Sequence, residues 1–377
     1  LGAMLASGLL VALGIAAGPR TRAPQATAAP PASLSDTGLF VDGSTEQTQQ
    51  DLLTYVPQYP LWSDGAQKRR WMRLPPGTSI DASDPTAWEF PVGTRFWKEF
   101  AHGRRVETRM IERTATGWTF VSYAWAADGS GATLAPAEGI PGAVEVRPGL
   151  RHDIPSREDC LACHGGRAVP ILGVTPLQLS PDRDPLAPHA ETPPPEAVDL
   201  LGLERRGLLR GLPAAMRERA PRIAARSPRE RAALGYLSSN CATCHVVSRP
   251  IPEVDLALDA RLEGEGRASP VLPTAVARPS RFRLRETGGP DSVRIVPGRP
   301  ERSVLLRRMS SRHPVVQMPP LGTRVPDFDA VSLLAVWIRE DLGADVGSPA
   351  LSATPPIDPS FHPPAGPHGS GSPHAKQ

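Results

Sequence analysis

The chain is short of sulfur, of lysine and of net charge. Its 377 residues hold four cysteines, and of 42 basic residues only Lys68, Lys98 and Lys376 are lysine. Four cysteines are too few for a disulfide scaffold, and a chain of this length does not need one. A net charge of +3 gives no footing for nucleic acid. Aromatic residues make up only 5%, so their clustering matters more than their number. Proline is the opposite case: 45 prolines imply long loops and extended linkers rather than a dense helical bundle.

All four cysteines fall in two boxes of one pattern, Cys160-Leu-Ala-Cys163-His164 and Cys241-Ala-Thr-Cys244-His245. Two thiols three positions apart can add across the two vinyl groups of one haem, and the histidine that follows then serves as an axial ligand of the iron. A disulfide or a thioredoxin-type pair has no use for that histidine. Zinc can take the same residue types, but its ribbons space their cysteine pairs by roughly 15–20 residues, whereas residues 164–240 separate these. The expected cofactors are therefore two covalently attached haem c groups, bound through Cys160, Cys163, Cys241 and Cys244, with His164 and His245 on iron.

The boxes fit an exported chain, because covalent haem attachment in bacteria takes place outside the cytoplasm. Residues 1–18 are apolar and small, as in the core of a signal peptide, and are also at the lower limit for a membrane anchor. No Lys or Arg precedes them and no Met begins them, so the start of the gene product is expected to be missing. A flexible linker is expected over 19–36. Six of seven tryptophans then fall between Trp62 and Trp125, within a Trp-rich β domain expected over 37–146. Runs such as Arg105–Ile111 and Trp118–Trp125 alternate partly with period two, as half-buried strands do. The first haem segment, with a Pro-rich loop at 181–195, is expected over 147–226, and the second over 227–345. The last residues, 346–377, lack periodicity and read as a disordered tail.

Helix signals surround both boxes. Ser156 is a candidate N-cap, followed by Glu158 and Asp159 in the first turn. Ser227-Pro228-Arg229-Glu230 supplies a cap, a proline at the first helical position and the acid of a capping box. Asp327 opens a third helix whose Phe328, Val331, Leu334, Trp337 and Ile338 share one face.

Sixth ligands are less evenly signposted. Met318, in Gln317-Met318-Pro319-Pro320-Leu321-Gly322-Thr323, sits in a stiff, extended loop that suits a thioether aimed at the second iron; the alternative is a methionine packed in the core. No comparable loop follows His164. His152 is the first candidate there, through its closeness in sequence, with Met216, His189, His102, Met110 and Met72 behind it. An open sixth position is the remaining option.

The order helix, Cys-x-x-Cys-His box, methionine loop, terminal helix resembles class I cytochromes c over about 227–343. Tyr59-Pro60-Leu61-Trp62-Ser63-Asp64-Gly65-Ala66, Trp88-Glu89-Phe90-Pro91-Val92-Gly93-Thr94, Ile154-Pro155-Ser156 and Tyr236-Leu237-Ser238-Ser239-Asn240-Cys241 look like a family of exported, uncharacterised dihaem proteins over about 55–343. The fold these resemblances imply is α+β: an N-terminal, mostly antiparallel β domain followed by mainly α-helical cytochrome c segments carrying two haems. The expected function is electron transfer in the bacterial cell envelope, in the periplasm or on the outer face of the cytoplasmic membrane. A redox partner protein would dock there, and the N-terminal segment could act as a membrane tether. Arg281, Arg283, Arg307 and Arg308 could form a docking patch or hold haem propionates. Two alternatives stand: a dihaem peroxidase-like enzyme with an open first haem, and a β module that binds a polymer or partner beside a redox relay.

Overall fold

The computed structural model describes residues 29–165, 169–247, 251, 254–266, 268–283 and 292–345. The expected signal or anchor at 1–18, most of the expected linker and the expected tail at 346–377 lie outside them. No described helix is long and apolar enough to cross a membrane.

The framework is a six-stranded antiparallel sheet in the order β1-β2-β4-β5-β6-β7. Its strands are β1 (Leu53–Thr54), β2 (Gln67–Arg73), β4 (Arg95–His102), β5 (Arg104–Thr114), β6 (Gly117–Trp125) and β7 (Ala132–Leu134). Between β2 and β4 lies the short β3 (Ile80–Asp81). A hairpin, β8 (Ile140–Arg147) with β9 (Leu150–Ile154), follows the sheet and leads to the first box.

Alternation gives the sheet two different faces. On one, Trp71, Trp97, Met110 and Val121 stand side by side across four strands. They pack with Leu34, Leu39, Phe40, Tyr123 and Trp125 in one core. That core reaches into the expected linker, where a 3-10 turn, Leu34–Thr37, is capped by Ser33 and closed against the sheet. On the other face, Met72, Phe96 and Ile111 pack with Trp88, Ile171, Leu179, Leu200 and Leu209. Residues from 171 to 212 therefore share a core with the sheet. They include α2 (Leu200–Arg205) and β10 (Leu209–Arg210), which pairs parallel to β3.

The remaining helices are α1 (Arg157–His164), α3 (Ala214–Glu218), α4 (Pro228–Asn240), α5 (Val271–Ala275), α6 (Val304–Met309), α7 (Phe328–Val336) and α8 (Leu342–Asp345), with a π turn at Trp337–Asp341 between the last two. The expectation of mainly α-helical cytochrome segments is overturned. The described structure is β-rich, and its longest helix, α4, has 13 residues. Proline is the physical reason: it lacks an N–H and clashes with the preceding turn. Pro270, Pro273, Pro279, Pro297, Pro300, Pro314, Pro319, Pro320 and Pro326 hold the chain between α4 and α7 to short helices of five and six residues, turns and isolated bridges.

Around α4 the packing is local and dense. Ala233, Leu234, Tyr236 and Leu237 meet Ala330, Leu334, Trp337 and Ile338, together with Leu306 and Met309 of α6. Tyr59, from the connection before β2, is buried in this same cluster and joins it to the sheet.

Candidate functional site

The first box is carried on α1. Ser156 caps it with a reciprocal pair: its Oγ accepts the Asp159 N–H at 3.0 Å, and the Asp159 carboxylate accepts the Ser156 N–H at 3.0 Å. The turn before it approaches so closely that a Cβ on Gly139 would lie 2.5 Å from the Ile154 carbonyl oxygen, and Gly139 has φ +75°. Only glycine fits there. Helical spacing then puts Cys160, Cys163 and His164 on one side of α1, and all three are part-buried.

His164 is oriented in the way a metal ligand requires. Its ring lies 5.3 Å from that of Phe120 on β6. Nδ1 donates to the Pro170 carbonyl at 2.5 Å, which fixes the tautomer and leaves the Nε2 lone pair available. Burial pushes its pKa down to about 4, with Lys98 and Arg109 adding to the effect against the Pro170 hydrogen bond. At neutral pH the imidazole is uncharged.

The second box begins where α4 ends. Ser227 accepts the Glu230 N–H at 3.0 Å, with Pro228 in the first turn. At the far end the His245 N–H donates to the Cys241 carbonyl at 2.9 Å, so the box forms one tight turn. His245 Nδ1 is buried and has no hydrogen-bond partner among the described residues. Burial lowers its pKa, and the charges of Arg308 and Arg294 lower it further. A buried ring nitrogen without a partner carries a desolvation cost, and a metal bond to that ring offers compensation.

All four cysteines are free thiols. Burial raises the pKa of Cys160 and of Cys163, and pushes Cys241 up to about 12. For Cys163 the next contribution comes from Cys244, which brings the two boxes into one electrostatic neighbourhood. Among the described residues no group of three or more His, Cys, Asp or Glu converges on a metal position. A c-type haem calls for no such group, since its thiols bond to carbon and a single box histidine to iron.

The Met318 loop stands beside the second box. The Met318 N–H donates to the Arg308 carbonyl at 3.0 Å. The Arg308 guanidinium, set over the Phe282 ring at 4.7 Å, is the larger of the two cationic influences on His245. Met318 itself is part-buried and precedes a cis peptide bond to Pro319. The loop's far end is braced to both boxes. Asp64 accepts the N–H groups of Arg324 and Val325 at 2.9 Å. Arg324 pairs with Asp153, just before the first box, at 2.6 Å. Trp62 donates its indole N–H to the Val325 carbonyl at 3.0 Å and its backbone N–H to Asn240, next to Cys241, at 2.8 Å.

The structure places the candidates for a sixth ligand at the first box less favourably. His152 gives its Nε2–H to Glu107 at 3.0 Å and is 9% exposed, so closeness in sequence does not leave that nitrogen free for iron. His189 is held by Asp327 at 2.8 Å and stacks on Trp62. Met110 belongs to the tryptophan core on the opposite face of the sheet, and Met72 and Met216 to the core shared with residues 171–212. His102 has a buried, unpaired Nε2, with its ring 5.7 Å from that of His152.

Sequence reasoning passed over the charged groups around the first box. Glu107 is fully buried; it accepts two hydrogen bonds from Arg109, at 2.7 and 2.9 Å, besides the one from His152. Burial alone would raise its pKa, but Arg109 and His152 outweigh that and hold it at about 2. The available signal was charge at alternate positions within three strands: Lys68, Arg70, Lys98, Glu107 and Arg109.

No family model matches the chain, and neither curated proteins nor solved structures supply a match.

Proposed function

We propose that the chain is an exported dihaem c-type cytochrome that transfers electrons in the bacterial cell envelope. The observation that carries the reading is the pairing of two Cys-x-x-Cys-His boxes, all thiols free, with a His164 ring whose Nδ1–H is already given to a backbone carbonyl. A bound haem iron supplies reversible one-electron storage. The chain's own residues do the rest. His164 and His245, whose pKa values burial lowers, would hold the two haem irons. Met318 supplies the thioether that closes the second site, held by Asp64, Trp62 and the Arg308 carbonyl. The effect of Cys244 on Cys163 supports a reading in which one site refills the other. The second site passes electrons to a redox partner protein in the periplasm or at the outer face of the cytoplasmic membrane.

The test is the intact mass of the chain, expressed for export together with haem-attachment machinery. The expected mass exceeds that of the polypeptide by two haems. One haem is lost in Cys160→Ala/Cys163→Ala and the other in Cys241→Ala/Cys244→Ala. An unmodified mass in the parent chain overturns the reading.

One observation favours an enzymatic variant of this reading. The buried His152, oriented by Glu107 and linked to the first box through the field of Arg109 on Cys160 and Cys163, is the group that would move a proton in peroxide cleavage if the first haem were open. Cyanide or carbon monoxide binding at the first haem supports the variant; two closed, low-spin haems remove it.

A further inference from the structure

The sheet face that meets the first box carries a row of cations. Arg70 on β2, Lys98 on β4 and Arg109 on β5 are direct cross-strand neighbours, and Lys68 stands two residues from Arg70 on the same face. This is an expensive arrangement, because like charges directly opposite one another on adjacent strands repel. Neighbouring strands lie about 4.8 Å apart, so the row spans roughly 10 Å from β5 to β2. It starts at the strand next to Phe120, the ring on which His164 rests.

Two carboxylates meet these four cations. Glu191 takes both terminal nitrogens of Arg70, at 2.8 and 2.9 Å, and Glu107 takes Arg109. Lys68 gives one hydrogen bond, to the Leu61 carbonyl at 2.7 Å. Lys98 has no hydrogen bond and no ion pair among the described residues; its ammonium rests 4.9 Å from the Phe100 ring centroid. Two of the four basic side chains, Lys68 and Lys98, thus have no carboxylate hydrogen-bonded to them among the described residues, and the row has N–H donors to spare. In a chain so poor in lysine, both lysines of the described residues stand here. Burial, followed by the charges of Arg70, Lys68 and Arg109, drives the Lys98 pKa well below its ordinary value. A buried amine in this position either gives up its proton or takes a counter-charge, and a carboxylate ligand supplies the second.

We propose that Lys68, Arg70, Lys98 and Arg109 form a binding site for a pair of carboxylates beside the first box. The site takes a ligand with two carboxylates, one for each of the basic side chains that lack such a partner, and Lys98 is its principal donor. Two sources share this chemistry: the two propionates of a haem attached at Cys160 and Cys163, and a small free dicarboxylate. The first source rests on the function proposed above; the site itself rests on the row.

Lys98→Met tests the site without breaking a hydrogen bond or ion pair, since Lys98 makes neither among the described residues, and Glu191 keeps its two bonds from Arg70. Intact mass first establishes how many haems the protein carries. In the two-haem protein, potentials are followed by spectroelectrochemistry and the oxidised form is titrated with oxalate. If propionates fill the site, Lys98→Met lowers the potential of one haem and leaves the other in place, because removing a nearby positive charge favours the ferric state, and oxalate gives no saturable response. If a free dicarboxylate fills it, oxalate binds the parent protein saturably, and roughly tenfold or more weakly to Lys98→Met. Unchanged potentials together with no saturable oxalate binding overturn the proposal. A chain that carries no haem refutes the cytochrome reading alone. Oxalate calorimetry on that chain, with Lys98→Met as control, then decides the carboxylate site by the presence or absence of binding.

Discussion

Tyr59 lies flat against Gly235, so closely that a Cβ on residue 235 would fall 2.1 Å from its ring. Gly235 sits in the middle of α4, where glycine is costly for a helix. Here it lets the segment leading into β2 lie directly on the helix that delivers the second box. The Tyr59 hydroxyl then donates to the buried Asp184 at 2.9 Å. This contact is one of the joints that hold the sheet and the second box in fixed relation.

Gly235→Ala is therefore expected to destabilise the protein by about 1–3 kcal/mol despite the better helix propensity of alanine. Chemical denaturation measures it. A neutral or stabilising outcome would show that Tyr59 is not locked against α4.

Glu107 makes stability depend on pH with a definite sign. Its folded pKa, about 2, lies below the ordinary 4.5, so the stabilisation it provides is complete above about 4.5 and is lost as pH falls towards 2. Glu107→Gln should lower stability at pH 7 by about 3 kcal/mol and by much less at the acid end of that window. Equal losses at pH 7 and in acid would refute the assignment.

Met318→Ala removes the proposed thioether ligand of the second haem. The weak far-red absorption that accompanies a methionine–ferric haem bond should vanish, and the potential of that haem should fall. Retention of the band would show that another residue binds the iron.

Asp64→Ala leaves the backbone N–H groups of Arg324 and Val325 without their acceptor. A loss of about 1–2 kcal/mol is expected, together with faster entry of cyanide or imidazole at the second haem as the Met318 loop loosens. Stopped-flow mixing reads this directly; rates equal to those of the parent would mean that the loop is held elsewhere.

What could be read from the chain was local. The capping side chains of Ser156, Ser227 and Asp327 each bond an N–H three residues on, within reach of any short-range pattern. Arg105–Ile111 and Trp118–Trp125 fall within β5 and β6, where alternation marks a sheet with two covered faces. The helical content expected after the sheet failed because the resemblance to cytochromes outweighed the prolines, which keep that region in short helices and turns. The partner of His152 was equally out of reach: closeness to Cys160 along the chain suggested a ligand, while Glu107, 45 residues earlier, takes its Nε2.

By itself the sequence determined the chemistry on offer: two identical thiol–thiol–imidazole boxes, a methionine in a stiff proline loop, and helix starts that present each box. These depend on bonds and spacings of a few residues, which the chain carries with it wherever it folds. Only the tertiary structure decided the surroundings of each box. It turned His164 to the Pro170 carbonyl, seated Tyr59 on Gly235, bound His152 to Glu107, and aligned Arg70, Lys98 and Arg109 across three strands. Apart from the turn at His164, these relationships join residues far apart in the chain, and strand register and core packing create them.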